Sequence, residues 1–226
     1  IVGLTGKRKP RALFIPTASG DAERYVETFE AVYGKRLGCR VETLRLLTAP
    51  PSRREMNRMI AAADLVYVGG GNTLRMMRRW RVTGADRALI AAAKRGTVMS
   101  GLSAGAICWF AYGNSDSRAF SGKESWSHIR VRGLGLVPLL YCPHYDSEKR
   151  HKPLRAMVAA HGGPAVACDD CTALEISGDS YRILSARKGQ QARLLCKEDG
   201  TVRVNPLATG SCRGAFRPLG DLLDGR

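Results

Sequence analysis

The sequence lacks an apolar run long enough to cross a membrane as a helix, which needs about 20 consecutive apolar residues. No secretory signal pattern opens the chain either. We therefore expect a cytoplasmic, globular protein with no membrane partner. At 226 residues the chain is long enough to bury a sizeable core, and we expect one domain over residues 1–226.

The sequence also lacks the cysteine spacing of a zinc site or a disulfide framework. Its seven cysteines are odd in number and irregularly spaced. Only Cys168 and Cys171 form a C-x-x-C pair, and no second pair or matched histidine accompanies them. We expect no metal and no disulfide staples, because reduced and mostly buried thiols are the ordinary state of a cytoplasmic protein of this size.

Acidic residues are scarce: 20 Asp and Glu stand against 36 Lys and Arg, which gives a formal net charge of +16. Such a charge is typical of proteins that neutralise phosphates. Here, however, the basic residues are scattered, and they do not interleave with aromatics as in a single-strand binding platform. Nucleic acid is therefore not the expected partner, and a solubilising basic surface is the simpler interpretation. A second interpretation is that the positive charge attracts an acidic substrate.

Strand-like runs alternate with helix-like runs through most of the chain. This alternation predicts an α/β fold with a mostly parallel sheet sandwiched by helices. Strands are predicted at residues 11–15, 41–47, 65–68, 97–99, 138–142 and 165–168. Helices are predicted at residues 21–36 with Asp21 as N-cap, 52–63 with a Ser52/Glu55 capping box, 74–81, 85–95 and 106–110. From about residue 166 onward, short strands and turns predict a C-terminal antiparallel extension.

The segment Gly101-Leu102-Ser103-Ala104-Gly105 has the G-x-S-x-G pattern of a nucleophile elbow. The apolar run before it predicts a strand, and the run after it predicts a buried helix. A serine on such a turn projects its hydroxyl above the sheet edge, and the next backbone N–H is free to bind a developing oxyanion. Ser103 is therefore the candidate nucleophile of an acyl-transfer enzyme.

A nucleophilic serine needs a base, and the chain offers four histidines: His128, His144, His151 and His161. His144 alone comes just past a predicted strand. Active sites of parallel sheets gather at the carboxyl ends of the strands, so His144 is the candidate base. The more common alternative for a single histidine is a structural role.

The acid that would orient His144 is less clearly indicated. Asp169 and Asp170 follow another predicted strand, which favours Asp170. Glu124 and Asp116, in the polar segment between Ser103 and His144, remain open. A helix cap or a surface turn is the alternative role for each of these acids.

Four segments in this order resemble the peptidase E family, which comprises the S51 serine peptidases and includes aspartyl dipeptidases and the related cyanophycinases. They are Ile15-Pro16-Thr17-Ala18, Gly69-Gly70-Gly71-Asn72-Thr73, Gly101-Leu102-Ser103-Ala104-Gly105-Ala106 and Pro143-His144-Tyr145. The resemblance covers about residues 11–176. It implies a fold like that of class I glutamine amidotransferases, and it implies Ser103 as nucleophile with His144 as base.

The resemblance also implies an oxyanion hole made by the N–H groups of Gly71 and Ala104. Some relatives place a Glu where this chain has Asp170, and aspartyl dipeptidases use an Asp in a segment where Glu124 is the nearest candidate. Family dipeptidases bind an N-terminal aspartate through an arginine after the histidine. Here Arg150 is the closest candidate and Arg155 the next. A solvated arginine at a helix start is the alternative for Arg150.

The sequence thus predicts a serine exopeptidase that cleaves short peptides, with Asp-X dipeptides as the implied substrates and no metal or organic cofactor. A cyanophycinase-like or β-aspartyl peptide hydrolase on the same residues is the alternative enzyme. A catalytically idle relative that only binds is the alternative from another class. The expected partner is a small peptide, and a homodimer is a possible assembly.

Overall fold

Parallel strands build the first half of the molecule, as the alternation of strand and helix predicts. The structure is a computed structural model that describes residues 1–122, 124–210 and 214–225. The first four strands are β1 (Arg11–Ile15), β2 (Arg40–Thr43), β3 (Leu65–Val68) and β4 (Val98–Gly101). They form one sheet in the order β2-β1-β3-β4 with every pair parallel, so their carboxyl ends meet at one edge.

The remaining described strands form a mixed sheet and a small third sheet. They are β5 (Phe110–Ser115), β6 (Ile129–Arg132), β7 (Val137–Cys142), β8 (Ala165–Cys168), β9 (Thr172–Ser177), β10 (Ser180–Ser185), β11 (Ala192–Glu198), β12 (Thr201–Leu207), β13 (Thr209–Gly210) and β14 (Arg217–Pro218). The mixed sheet has the order β12-β11-β8-β7-β5-β6. Its centre, β5-β7-β8, is parallel, whereas β6, β11 and β12 pair antiparallel. The predicted fold class is confirmed, including the antiparallel C-terminal strands.

Seven α-helices flank these sheets in the described part of the chain. They are α1 (Glu23–Phe29), α2 (Arg53–Ala62), α3 (Thr73–Thr83), α4 (Ala85–Lys94), α5 (Ala104–Ile107), α6 (His151–His161) and α7 (Leu219–Leu223). A π-helical stretch, Glu30–Arg36, continues α1. Within the described ranges no helix has both the length and the apolar character to cross a bilayer.

The predicted cap of α2 is confirmed, but that of α1 is wrong. Ser52 Oγ accepts a hydrogen bond from the N–H of Glu55 at 3.2 Å, and the Glu55 carboxylate binds Arg58 instead of closing the capping box. Ala22 is the N-cap of α1. Asp21 is instead buried and accepts from the N–H groups of Leu47 and Thr48 at 2.6 and 3.0 Å. Both backbone donors converge on Oδ2, and these charge-assisted hydrogen bonds hold Asp21 in the loop and away from the helix end, while Oδ1 has no partner among the described residues.

The helix predicted after Ser103 is shorter than expected. It ends at Ile107, and the chain re-enters a sheet at Phe110, where β5 begins. The segment from Trp109 to Tyr112 is aromatic-rich, and aromatics favour a half-buried pleated surface over a helix. This correction places two further strands, β5 and β6, between Ser103 and His144.

A single apolar cluster joins the two larger sheets. It includes fully buried side chains from β1 (Ile15), α3 (Trp80), α5 (Ile107) and β11 (Leu194). Removing such side chains from water is the main favourable term in folding. The shared cluster fixes one sheet against the other, so the edges that carry polar residues keep a defined relative position.

Candidate active site

Ser103 lies on a strained turn between β4 and α5. Its backbone has φ 55° and ψ −114°, a region that residues other than glycine rarely adopt. The side chain is partly buried, and Ser103 is the N-cap of the short helix α5. Strain of this kind is typical of a nucleophile elbow, in which the turn lifts the serine hydroxyl out of the sheet.

The two glycines of the motif are required by close packing of the turn on β3. A Cβ at Gly101 would come within 2.2 Å of the carbonyl oxygen of Gly105. A Cβ at Gly105 would come within 2.0 Å of the carbonyl oxygen of Val68. Real Cβ atoms do not approach backbone so closely, so only glycine allows the turn to sit at this height above the sheet.

The glycine loop after β3 lies beside the serine. A Cβ placed on Gly70 would be 3.4 Å from the Cβ of Ser103. Gly71 has φ +133°, and a Cβ there would collide with the carbonyl of Ala18 at 2.3 Å. The same Ala18 oxygen accepts from the N–H of Asn72 at 2.9 Å, so the loop after β1 fixes the loop after β3.

Two backbone N–H groups near Ser103 have no acceptor among the described residues. Neither the Gly71 N–H nor the Ala104 N–H donates a hydrogen bond to any of them. Ala104 is the first residue of α5, where N–H groups have no intrahelical partner. An oxyanion hole needs backbone donors that are not used within the fold, and both of these N–H groups meet that condition.

His144 and Asp170 contact each other although they lie 26 residues apart in the chain. His144 Nδ1 is 2.6 Å from Asp170 Oδ1. Because a carboxylate only accepts, Nδ1 carries the proton and Nε2 is the ring nitrogen free to take another. His144 follows β7 and Asp170 follows β8, and these strands are parallel neighbours. The structure therefore brings together the predicted base and the predicted acid.

The Asp170 carboxyl is held in its charged form. The hydrogen bond from His144 lowers the pKa of Asp170 below its usual value, and Ser147 and Arg150 act in the same direction. Partial burial opposes the shift without reversing it. Ser103 Oγ and His144 make no hydrogen bond with each other in the described structure. Catalytic hydrogen bonds are often long or poorly aligned before substrate binds.

Serine hydroxyls tie the edges of the two larger sheets together. Ser115 Oγ donates to Thr73 Oγ1 at 3.1 Å, and Ser117 Oγ accepts from the N–H of Leu74 at 3.0 Å. Asn72 Nδ2 donates to the Ser117 carbonyl at 3.3 Å. The glycine loop, which lies beside Ser103, and the segment after β5 are thus one hydrogen-bonded unit, and β5 is the parallel neighbour of β7, the strand that leads to His144.

Arg150 lies at this edge, but it is neither a free clamp nor a solvated residue. Its side chain is only 1% exposed. Its Nε and Nη2 donate to the Glu148 carboxylate, and its Nη1 donates to the carbonyl of Asn114 at 2.7 Å. The predicted role in substrate binding assumes an open guanidinium fork, and Glu148 fills that fork. Arg155, the second candidate, donates to the carbonyl of Val202 instead.

The other two candidate acids do not reach His144. Asp116 lies 3.8 Å from Arg150 Nη2. Glu124 is exposed and makes no hydrogen bond or ion pair with the described residues. Of the acids considered from sequence, Asp170 is therefore the one in contact with the histidine.

Sequence reasoning misses a group of buried and partly buried polar side chains on β5, on β6 and just before β6. Asn114 is fully buried, and His128 and Arg130 are partly buried beside it. The sequence pattern does not predict the strand that carries Asn114. The polar neighbours of His128 in the chain give no sign that its ring is partly buried.

The cysteines near the site differ in exposure. Cys108 is buried in the turn after α5, and burial raises the pKa of its thiol well above the usual value. Cys168 is buried and Cys171, next to Asp170, is exposed. No cluster of three or more potential metal ligands occurs within the described ranges.

Comparison with known proteins gives a consistent family assignment. The family model described as peptidase family S51 matches residues 1–184. An uncharacterized peptidase, YgaJ of Bacillus subtilis, is 32% identical over 210 residues, which cover 92% of this chain and 87% of that protein. Peptidase E of Streptomyces coelicolor is 30% identical over 73% of this chain and 65% of its own length.

Solved structures show the same fold. A peptidase from an acI-B1 Actinobacterium superposes with a TM-score of 0.67 at 19% identity, over 96% of this chain and 88% of that one. A putative peptidase E from Listeria monocytogenes superposes with a TM-score of 0.53 at 21% identity, over 89% of each chain. At these identities the likeness concerns the fold alone.

Proposed function

Because this chain belongs to peptidase family S51, we propose that it is a serine-type exopeptidase that cleaves short peptides with Ser103, His144 and Asp170. A peptidase activity follows from the family. The observation that carries the serine mechanism is the strained turn of Ser103 beside two unpaired N–H groups, together with the 2.6 Å contact between His144 and Asp170.

In the first half-reaction Ser103 Oγ attacks the scissile carbonyl carbon, and His144 Nε2 takes its proton. Asp170 keeps Nδ1 protonated and stabilises the imidazolium that forms. The N–H groups of Gly71 and Ala104 bind the carbonyl oxygen as it becomes negative. Collapse of the tetrahedral intermediate breaks the C–N bond, and His144 gives its proton to the leaving amine, which leaves an acyl-enzyme on Ser103.

In the second half-reaction water replaces the amine. His144 Nε2 takes a proton from the water as its oxygen attacks the ester carbon, and the same N–H groups bind the second oxyanion. The C–O bond to Ser103 breaks and its oxygen recovers the proton. The products are a free carboxylate and the free enzyme.

Cleavage after an N-terminal aspartate is the finer specificity that the resemblance implies. An aspartate side chain needs a cationic partner, and Arg150 is the arginine nearest to His144 in the chain after it. Since Glu148 occupies the donors of Arg150, a substrate carboxylate would have to displace Glu148. Asp-X dipeptides are therefore one arm of the substrate test.

A serine-directed phosphonate tests the nucleophile. We expect it to label the wild-type protein once per chain and to leave Ser103→Ala unlabelled, while the control Ser177→Ala, at an exposed strand end, is labelled normally. Hydrolysis of Asp-, Glu-, Leu- and β-Asp-Arg dipeptides by the same three proteins completes the test. Labelling that survives Ser103→Ala, or the absence of both labelling and hydrolysis, would contradict the proposal and favour a binding relative.

A further inference from the structure

Arg193, on strand β11, lies between the loop that carries His144 and the loop that carries Asp170. Its Nη1 donates to Asp169 Oδ1 at 2.8 Å, and its guanidinium carbon lies 5.1 Å from the centre of the Tyr145 ring. Asp169 directly precedes Asp170, and Tyr145 directly follows His144. We call Tyr145, Asp169 and Arg193 the loop clamp, because together they connect the two loops.

Asp169 is fixed to β11 through both its backbone and its side chain. Its N–H donates to the carbonyl of Gln191 at 3.0 Å, and its Oδ2 accepts from the N–H of Gln191 at 3.0 Å. The side chain is only 3% exposed, so its charge needs the partner that Arg193 supplies. Asp169 directly follows β8, and β8 and β11 are antiparallel neighbours. The start of the Asp170 loop is therefore held against β11.

Tyr145 fixes the start of the His144 loop in a similar way. Its side chain is buried in an apolar cluster shared with α6. Its N–H donates to the carbonyl of Cys168 at 3.1 Å, which ties this loop to the end of β8. The flat guanidinium of an arginine suits contact with an aromatic face and an ion pair at the same time. Arg193 therefore contacts the fixed point of each loop.

The side chains of His144 and Asp170 have less support of their own. They are 22% and 46% exposed, so packing alone does not fix them. Ser147 also interacts with Asp170, but it belongs to the same loop as His144. Both interactions thus depend on the separation of the two loops. Because a misplacement of about 1 Å can cost about 100-fold in rate, that separation matters for catalysis.

We propose that Arg193 is a positioning residue, which through the loop clamp holds the two loops at the separation that the contact between His144 and Asp170 requires. This inference rests on the proposed peptidase function and adds a residue to it. Arg193 lies beyond residues 1–184, which the family model matches, and it belongs to the C-terminal antiparallel strands. Those strands thereby take part in the chemistry, since β11 keeps the loop of the acid against the loop of the base.

Substitution of Arg193 tests its effect on kcat, measured with the dipeptide that the wild-type protein cleaves fastest. We expect Arg193→Met to lower kcat by about 10- to 100-fold with little change in KM, because it misaligns His144 and Asp170 without removing a group assigned to substrate binding. Arg193→Lys is able to keep an ion pair with Asp169 but not the flat contact with Tyr145. Its kcat should therefore lie between those of Arg193→Met and the wild type.

Arg203→Met is the matched control. Arg203 Nε, on β12, lies 2.9 Å from Glu198 Oε2 on β11, and both side chains are exposed. The substitution therefore breaks an arginine–carboxylate pair on the same strand without touching either loop, and kcat should equal the wild-type value. An equal loss of kcat in Arg203→Met and Arg193→Met would overturn the inference.

A second variant guards against misfolding. Arg193→Met leaves the Asp169 carboxylate buried without its cation, which is strongly destabilising. Asp169→Asn/Arg193→Met removes both charges and keeps a side-chain oxygen that accepts from the N–H of Gln191. We expect this double variant to fold, as followed by circular dichroism, and to show the same loss of kcat. Wild-type kcat in either variant, once folded, would overturn the inference.

A double-mutant cycle with Asp170→Asn separates positioning from a general loss of structure. If Arg193 acts by placing the Asp170 carboxylate, its substitution has little left to disturb once that carboxylate is gone. We expect Arg193→Met, or the double variant in its place, to lower the kcat of Asp170→Asn by less than about threefold. A further loss as large as that in the wild-type background would mean a general structural role and would overturn the inference.

A wild-type protein that cleaves no dipeptide would instead contradict the proposed function. In that case, crystal structures of the wild type and of Asp169→Asn/Arg193→Met decide the inference. A distance between His144 Nδ1 and Asp170 Oδ1 that grows by about 1 Å or more in the variant supports it. A contact that stays at 2.6 Å in the variant, or that is absent from the wild type, overturns it.

Discussion

Gly105 is the residue of the serine turn with the least room to change. A methyl group there would overlap the carbonyl of Val68, which belongs to a central strand and cannot move aside. We expect Gly105→Ala to lower the free energy of unfolding by about 3 kcal/mol or more, measured from urea denaturation.

Gly220 offers a matched control for Gly105. It lies on the exposed face of α7, where an added Cβ would meet nothing within 4 Å. Gly220→Ala should therefore raise the stability by about 0.5–1 kcal/mol, because glycine costs backbone entropy in a helix. Similar effects of the two substitutions would show that the turn is not packed as described.

Substitution of Asp170 tests whether this residue is the acid that orients His144. Asp170→Asn removes the carboxylate that keeps His144 Nδ1 protonated, so we expect kcat to fall by about 10²- to 10⁴-fold with little change in KM. Glu124→Gln, the alternative acid from sequence, should keep the wild-type kcat. A larger loss in Glu124→Gln than in Asp170→Asn would reassign the acid.

The side-chain hydrogen bonds that hold helix α2 and the loop before it should differ in their contribution to stability. Ser52→Ala removes one cap hydrogen bond and should cost about 1 kcal/mol. Asp21→Ala leaves the N–H groups of Leu47 and Thr48 without their carboxylate and should cost about 2 kcal/mol or more. Thermal and urea unfolding of both variants would rank the two effects, and the reverse order would mean that water replaces Asp21 easily.

The elements that sequence predicts well are those with strong periodicity and clear ends. Strands β1 and β3 and helices α2 to α4 fall close to their predicted bounds, because each joins an apolar pattern to a cap or glycine signal. The contact between His144 and Asp170 can also be predicted from sequence, since both residues follow predicted parallel strands. Alternation alone therefore brings them to one edge.

What sequence does not predict depends on tertiary contacts. The sequence predicts the start of strand β5 as the end of a helix. An apolar run of this length is compatible with either structure, and only its tertiary contacts decide between them. The burial of Asn114 is missed for the same reason. The occupied fork of Arg150 depends on the turn after His144, which places Glu148 against it, and no local pattern specifies that turn.

The whole molecule should lose stability on acidification in two steps. The pKa of His128 is lowered from 6.5, so the unfolded chain takes up a proton first, and stability falls as the pH drops below about 6.5. Asp170 acts at lower pH. Its folded pKa is below 3.8, so its contribution is present above 3.8 and is lost as the pH falls through the folded pKa.

Melting temperatures measured between pH 8 and pH 5 test the first step, because Asp170 is still charged throughout that range. We expect His128→Gln to flatten the decline in this range, while His161→Gln, at an exposed helix end, should follow the wild-type curve. Parallel curves for wild type and His128→Gln would show that another group dominates the acid response.

The uneven burial of the described thiols allows an optical measurement of substrate binding. Of the six cysteines that the structure describes, Cys171 is exposed. The other five are buried and their thiols have raised pKa values: Cys39, Cys108, Cys142, Cys168 and Cys196. A maleimide dye applied at neutral pH therefore attaches to Cys171 in preference to all of them. In a Cys212→Ser variant, which removes the one cysteine outside the described residues, that dye sits one residue from Asp170, and its emission would report the arrival of a peptide at the sheet edge in real time.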